Sequence, residues 1–378
     1  MKILMVGGGS GGHILPVKAL IEEIIKQKPK SNIVFWTDKK FFDLSKKIIG
    51  KKFFDVKIQL VVAGKFRRYR HGGISLKELF LNIRDVFLVL IGFWQSLARL
   101  IFNRPDVIFL KGGYVGLPVG MAAVMLRIPF VVHDSDTVLG LTNKILGKFA
   151  KRIAVSWPIE NYTGALVNKM VFTGIPVSSD VLKYQNMPKE KIKKQLGFNS
   201  KKPLVVAVGG GLGARSVNLA IVHNLDNLLE KYTVVLVTGQ GQYAEIKRKT
   251  VKYVEGGDFW LFDFLTDGLG ELLAAADVVV ARAGATTLVE LMALKKAAII
   301  VPNDFLTGGH QTKNALVLEK AHAVLKLDDQ SLNNKLVDGI NEIMGNVALR
   351  QKLETNIGRF ANNSAAVDLA KLLIDVVK

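Results

Sequence analysis

A chain of 378 residues, 49% apolar and 22% charged, has the balance of a globular protein of two or three domains, which excludes disorder, collagen and coiled coil as its main state. It has no cysteine, so disulfides, thiolate metal sites and cysteine nucleophiles are excluded. The net charge of +20 is concentrated in residues 1–175, where 27 Lys and Arg face 11 Asp and Glu, against 25 and 21 in the remainder; such a field attracts nucleic acid, anionic lipid or a polyanionic substrate alike.

In chain order, β-branched runs at Lys2–Val6, Ile33–Thr37, Val56–Val62, Val107–Leu110, Phe130–His133 and Arg152–Val155 alternate with helix-length segments, the signature of a doubly wound parallel sheet. The pattern restarts at Leu204–Val208 and continues through Thr233–Thr238, Val278–Ala281, Ala298–Val301 and Ala323–Lys326. The expected fold class is α/β, with two Rossmann-like doubly wound parallel-sheet domains facing a crevice. Thr173–Pro188, with Gly174, Pro176, Pro188 and the serines Ser178 and Ser179, reads as a hinge. The division expected is 1–175, 176–362 and a C-terminal segment, 363–378, where Val367, Leu369, Leu372, Leu373 and Val376 at helical spacing predict a helix packing back on the first domain. Met1–Val6 is too short an apolar run for an export signal. The uncharged runs Val86–Ala98 and Gly112–Leu126, of 13 and 15 residues, fall short of the roughly 20 residues that span a bilayer, although the first could lie on one.

The strand Lys2–Val6 runs into Gly7-Gly8-Gly9-Ser10-Gly11-Gly12-His13, with a helical pattern beginning at Ile14. Glycine lets backbone N–H groups approach an anion at a helix N-terminus. Gly7, Gly9 and Gly12 also satisfy the dinucleotide pattern G-x-G-x-x-G, with Asp38 placed as a ribose-binding acid, and a packing turn is a further possibility. A second glycine loop, Gly209 to Ala214, holds the same place in the second half, for which a one-cofactor dehydrogenase has no evident use. The turn Lys111-Gly112-Gly113-Tyr114 follows the strand Val107–Leu110. Further polar loops are His133-Asp134-Ser135-Asp136, Arg282-Ala283-Gly284-Ala285-Thr286 with Glu290, and Thr307-Gly308-Gly309-His310-Gln311. Glu290 early in a helix could accept ribose hydroxyls or simply compensate the helix dipole.

Taken in order, Gly8 to Ile14 with Pro16, Lys111 to Val115, His133-Asp134 with Gly140-Leu141-Thr142-Asn143-Lys144, the Gly209–Ala214 loop with Arg215 and Asn218, and Arg282 to Thr286 with Glu290 resemble the bacterial peptidoglycan N-acetylglucosaminyltransferases that make lipid II. The resemblance implies a two-domain GT-B enzyme. It would move N-acetylglucosamine from UDP-N-acetylglucosamine to the muramyl 4-hydroxyl of undecaprenyl-linked lipid I, with inversion, and so serve cell-wall biogenesis, cell shape and division. It implies donor contacts from Leu265 to uracil, from Gly210 and Gly211, from Ala285 and Thr286 to the diphosphate, from Glu290 to the ribose, and from His310 and Gln311 to the sugar. Ser10, Gly11, Gly12 and Asp136 of the first domain would face the donor, while Gly9, Gly112, Gly113, Tyr114 and Asn143 would hold the acceptor. The sequence departs from the family at Ser178, where arginine is usual, at Gly211-Leu212, at Asp134-Ser135-Asp136 and at His310.

Inverting transfer needs a base, charge stabilisation for the departing diphosphate and exclusion of water. His13 is the first candidate base and Asp134 the second; a helix N-terminus would keep the imidazole neutral, and a capping or packing role for His13 is the alternative. Asp134-Ser135-Asp136 has the spelling of a metal-dependent transferase motif, but no metal or other cofactor is expected, the sugar nucleotide being a substrate. Phe80, Ile83, Phe87, Leu90, Ile91 and Trp94 share a helical stripe near Lys65, Arg67, Arg68, Arg70, Arg84 and Arg99. Ile83, Phe87, Leu90 and Trp94 are the expected contacts to an anionic membrane surface, with a buried core helix as the alternative. The expected location is peripheral, on the cytoplasmic face of the membrane. A diacylglycerol glycosyltransferase and a UDP-sugar epimerase are the competing enzymes; a nucleic-acid module would leave the paired glycine loops unexplained.

Overall fold

The computed structural model describes residues 1–9, 11–67, 75–210, 213–265, 268–304 and 309–377. They form two compact units, Met1–Ser178 with Asn362–Lys378, and Ser179–Ala361.

The first unit is built on a seven-stranded parallel sheet, β1 (Lys2–Val6), β2 (Asn32–Thr37), β3 (Lys57–Leu60), β4 (Val107–Leu110), β5 (Phe130–Asp134), β6 (Arg152–Val155) and β7 (Met170–Phe172), in the order β3-β2-β1-β4-β5-β6-β7. The inner strands β4 and β5 are buried along their whole length, as strands covered on both faces must be. Ile3 pairs with Ile33 on one side and Val107 on the other, and the order reverses between β1 and β4, so the loops leaving these two strands flank the switch point. The helix Ala365–Val377 belongs to this unit: Leu369, Ala370 and Leu373 enter its core beside Ile14, Val17 and Ile21. Asn362 anchors the helix's approach by donating its side-chain amide to the Thr173 carbonyl at 3.0 Å.

The second unit repeats the plan with six strands, β8 (Leu204–Val208), β9 (Thr233–Val237), β10 (Phe259–Phe262), β11 (Val278–Ala281), β12 (Ala298–Ile300) and β13 (Leu325–Lys326), in the order β10-β9-β8-β11-β12-β13. Its switch point lies between β8 and β11, flanked by the glycine loop and by Arg282–Gly284. The central strands match the sequence pattern, whereas β7 and β10, short outer strands of three and four residues, do not announce themselves in it.

The helix Leu76–Phe102 corrects the expected length of the apolar segment. It has 27 residues, and an 18-residue window of it, of mean hydropathy 1.6, is long and apolar enough to cross a membrane, although a third of that window is buried. The charged pair that seemed to end the run does not end the helix, because Asp85 turns inward and is 1% exposed, accepting from Arg67 at 2.5 Å and Arg84 at 2.8 Å. A Ser75–Glu78 capping box starts the helix. Asn82 then clasps the backbone of Arg67 through two hydrogen bonds, Gln95 accepts from the Val62 amide, and Arg99 donates to the Leu60 carbonyl. The opposite face is bare: Phe80 is 70%, Phe87 60% and Trp94 62% exposed, and Ile83 and Leu90 are also exposed. A buried core helix is therefore not what this segment is. Three cations expected to rim the stripe, Arg67, Arg84 and Arg99, are tied internally; Arg68 and Arg70 lie outside the described residues.

Candidate active site

In the first unit the loops after β1 and β4 close around one imidazole. His13 caps the helix Ile14–Gln27 in position only, since its side chain makes no capping bond. Instead Nδ1 donates to the Gly8 carbonyl, which makes Nε2 the acceptor nitrogen of the neutral ring. Gly8 and Gly113 make this geometry possible. A Cβ at Gly8 would lie 2.5 Å from Asp38 Oδ1, and one at Gly113, where φ is +73°, would lie 2.9 Å from the His13 ring. Burial first, and the nearby Lys111 second, lower the His13 pKa to about 4, so the imidazole is neutral at physiological pH. The direction is the one expected, with burial and a nearby cation as its causes.

Beneath the bends lies a polar cluster that local spacing does not reveal. Lys111, 1% exposed at the end of β4, donates to His133 Nδ1 at 2.9 Å and to Ser135 Oγ at 2.5 Å. His133 Nε2 donates to the Gly174 carbonyl at 2.9 Å. Asp134 is 6% exposed and accepts from the Gly140 amide (2.7 Å), the Asn143 side chain (2.9 Å) and the Asp136 amide (3.3 Å). Burial, and then the Asp136 charge, raise its pKa to about 6. Asp134 is thus the pin of its own loop, and Asn143, 2% exposed, supports that loop through the His133 carbonyl and Asp134. Asp136 stays partly accessible, its carbonyl accepting from the Tyr162 hydroxyl. Tyr114 donates its hydroxyl to Asp38 at 2.8 Å. Asp38 is buried in this contact, which removes it as the ribose acid of a dinucleotide enzyme.

In the second unit the helix Ala285–Ala293 opens after Gly284 with no side-chain cap, so its first-turn amides, at Ala285 and Thr286, sit at the positive end of the helix. Glu290 lies one turn further. It keeps some accessibility, yet loses enough water to the surrounding protein that its pKa rises to about 8, and its carboxylate has no hydrogen bond to protein among the described residues. The strand end before this helix is fixed by Arg282, which meets Asp329 with two nitrogens at 2.8 and 3.0 Å and also reaches Ser216 and the carbonyls of Val301 and Pro302. The glycine loop after β8 is held by Asn218, which donates to the Thr238 carbonyl and to Gln242; Gly210 belongs to it with φ +70°. Gln311 accepts from the Asn303 amide at 3.0 Å, and His310 opens the helix His310–Lys320. Leu265 is partly exposed in the loop after β10. Ser10, Gly211, Leu212, Thr307 and Gly308 lie outside the described residues. Among the described residues no three His, Asp or Glu side chains form a group that could hold a metal ion.

The structure thus gathers Gly9, Gly112, Gly113, Tyr114, His13, Asp134 and Asn143 at one switch point, and Gly210, Ala285, Thr286 and Glu290 at the loops of the other. Known proteins share this plan. The glycosyltransferase family 28 N-terminal domain matches residues 3–155 and the C-terminal domain of that family matches residues 204–373. A UDP-N-acetylglucosamine--N-acetylmuramyl-(pentapeptide) pyrophosphoryl-undecaprenol N-acetylglucosamine transferase of Thermoanaerobacter sp. (strain X514) is 33% identical over 99% of each chain, and one from Clostridium novyi (strain NT) is 31% identical over 98% of each. Among solved structures, Acinetobacter baumannii MurG superposes with a TM-score of 0.71 at 21% identity over 99% of both chains. A UDP-GlcNAc 2-epimerase from Neisseria meningitidis superposes with 0.66 at 12% identity, covering 99% of this chain and 100% of the other; at such identities the likeness is one of fold. The chain belongs to glycosyltransferase family 28, among the UDP-N-acetylglucosamine--N-acetylmuramyl-(pentapeptide) pyrophosphoryl-undecaprenol N-acetylglucosamine transferases.

Proposed function

We propose that this chain is the inverting transferase that moves N-acetylglucosamine from UDP-N-acetylglucosamine to the muramyl 4-hydroxyl of lipid I, giving lipid II for peptidoglycan. The observation that carries the reading is a 33% identity sustained over 99% of the chain to a protein named for that transfer. The paired switch points supply its chemistry. In the second unit the helix N-terminus at Ala285 and Thr286 receives the donor diphosphate and stabilises the charge that grows on it as UDP leaves. This arrangement asks for no resident cofactor. Glu290 takes the ribose hydroxyls, with Leu265, Gly210, Gly211, His310 and Gln311 completing the donor contacts.

In the first unit Gly9, Gly112, Gly113 and Tyr114 cradle the acceptor pyrophosphate. His13 is the base: Nδ1–H is committed to Gly8, and Nε2 takes the proton of the acceptor hydroxyl while that oxygen bonds to the anomeric carbon and UDP departs with the other bonding pair. Asp134 shapes the loop that carries Asp136, and Asp136, with Ser10, Gly11 and Gly12, meets the donor sugar.

The acceptor's polyprenyl chain stays in a bilayer, so the enzyme works at one. The bare face of Leu76–Phe102, with Ile83, Phe87, Leu90 and Trp94, is the docking surface of a peripheral protein on the cytoplasmic face. The other face of this helix is laced to its own unit, which favours lying on the membrane over crossing it. Nucleic acid has no part in this reading. Incubation with labelled UDP-N-acetylglucosamine and a short-chain lipid I analogue tests it; label must appear in the acceptor. Label that stays on the nucleotide as an epimerised sugar, or passes to diacylglycerol, contradicts it.

A further inference from the structure

Lys111 belongs to the motif of the proposed acceptor cradle but is itself 1% exposed. A lysine this deep is costly, and it persists only where its ammonium is fully used. We propose that Lys111 is a positioning residue of the transferase reaction, its ammonium fastening the His133–Asp136 loop beneath the two glycine bends so that the groups around His13 keep one geometry. The inference rests on the transferase reading and adds a residue whose work is done through others.

Three connections carry it. Lys111 Nζ donates to His133 Nδ1 at 2.9 Å, while His133 Nε2 donates to the Gly174 carbonyl at 2.9 Å, so one chain of hydrogen bonds runs from the end of β4 through β5 to the turn after β7. This fixes the His133 tautomer as the neutral Nε2–H form, an acceptor for the ammonium. The second donation, to Ser135 Oγ at 2.5 Å, reaches the loop between Asp134 and Asp136. Ser135 also accepts the Trp157 indole N–H on its carbonyl at 3.1 Å, so the loop is held from two sides. Third, the ammonium acts on charge as well as position. Asp134 and Asp136 attract it, and it opposes protonation of both His133 and His13. The groups that face this centre are His13 from the β1 bend, Asp38 after β2, His133 and Asp134 on β5 and Asp136 in the loop; the ammonium is the cation among them, with the Lys111 pKa lowered by burial to about 8.

The test uses the full chain labelled on histidine, with its six imidazoles assigned through H13Q, and two variants, K111M and S135A. Imidazole NMR titration reads the site without requiring turnover. In K111M the His13 titration moves upward, and the acid limb of kcat/KM moves upward with it. The kcat falls about tenfold to a hundredfold, the scale of a misplaced reacting group, while KM for UDP-N-acetylglucosamine changes less than about twofold. S135A, which removes one anchor and keeps the cation, lowers kcat in the same direction but leaves the His13 titration where it was. If K111M fails to fold, S135A and K111R carry the test: the first must lower kcat and the second must keep His13 low. A His13 titration unmoved in K111M, or an unchanged kcat and pH profile in all variants, overturns the proposal. Wild-type protein that transfers no sugar while K111M still shifts His13 leaves the strut in place and removes the transferase reading instead.

Discussion

In the first unit the loops at the switch point gather an imidazole, a buried ammonium, a second imidazole and the Asp134 carboxylate, all tied by named hydrogen bonds. In the second unit the loops after β8 and β11 lead to a helix N-terminus and to Glu290, an acid whose pKa burial raises; the ion pair there, Arg282 with Asp329, faces inward and serves the framework. The two sheets reverse order at the same place and use the same glycine device, yet the function proposed above asks one switch point to move a proton and the other to receive an anion. Duplicated architecture therefore supplies location, and the side chains beneath each bend decide what happens there.

This contrast can be broken most severely at His13. H13Q and H13A are expected to lower kcat by about a hundredfold to ten-thousandfold, the range of general-base removal, with UDP affinity unchanged by calorimetry; near-normal turnover in both removes the assignment. Next in size is the exposed apolar face of Leu76–Phe102, proposed above to dock on a membrane. F87E with W94E replaces two exposed rings, each worth roughly 1.5–3 kcal/mol when buried in the interface, and should weaken binding to anionic vesicles by about a hundredfold in flotation. Because Arg67, Arg84 and Arg99 are internally bonded, added salt should weaken binding less than these substitutions do.

On the second unit, E290Q should raise KM for the donor about tenfold with little change in kcat, the signature of a contact made equally in ground and transition states. Glu290 is protonated in the free protein below pH about 8. If ribose hydroxyls donate to it, UDP binding releases a proton near neutral pH, and calorimetry in buffers of different ionisation enthalpy reads that release; its absence argues for a dipole-compensating role. The smallest expected effect concerns stability. His13 has a folded pKa of about 4, below its ordinary value, so its contribution is present above about pH 6.5 and lost as pH falls toward 4. Asp134, raised to about 6, runs the other way: its contribution is present below its ordinary value and lost as pH rises through about 6. Thermal unfolding should therefore show H13Q losing part of the acid sensitivity, on the order of 1 kcal/mol.

Much of the fold was legible because buried parallel strands are continuous apolar runs, and Lys2–Val6, Val107–Leu110 and Leu204–Val208 are such runs. Met170–Phe172 and Phe259–Phe262 are apolar throughout, but as runs of only three and four residues they are too short to stand out as strands. The helical stripe from Phe80 to Trp94 was legible across Arg84 and Asp85, but these charges cut short the uncharged run, and their mutual neutralisation needs Arg67 from a segment 18 residues earlier. Glycine bends were visible as spelling, but what lies under them was not. Lys111 meets His133 across 22 residues, and Arg282 meets Asp329 across 47, distances over which periodicity carries no information. The one local sign was a lysine placed directly between the apolar run Val107–Leu110 and two glycines.

The central claim, that one unit activates an acceptor hydroxyl while the other binds the departing nucleotide, is tested most directly by a double comparison of H13Q and E290Q on labelled UDP-N-acetylglucosamine and a short-chain lipid I analogue. The wild type should give disaccharide product, H13Q should lose kcat with UDP binding retained, and E290Q should raise donor KM with kcat retained. Loss of UDP binding in H13Q with unimpaired donor KM in E290Q would assign the nucleotide to the wrong unit and contradict it.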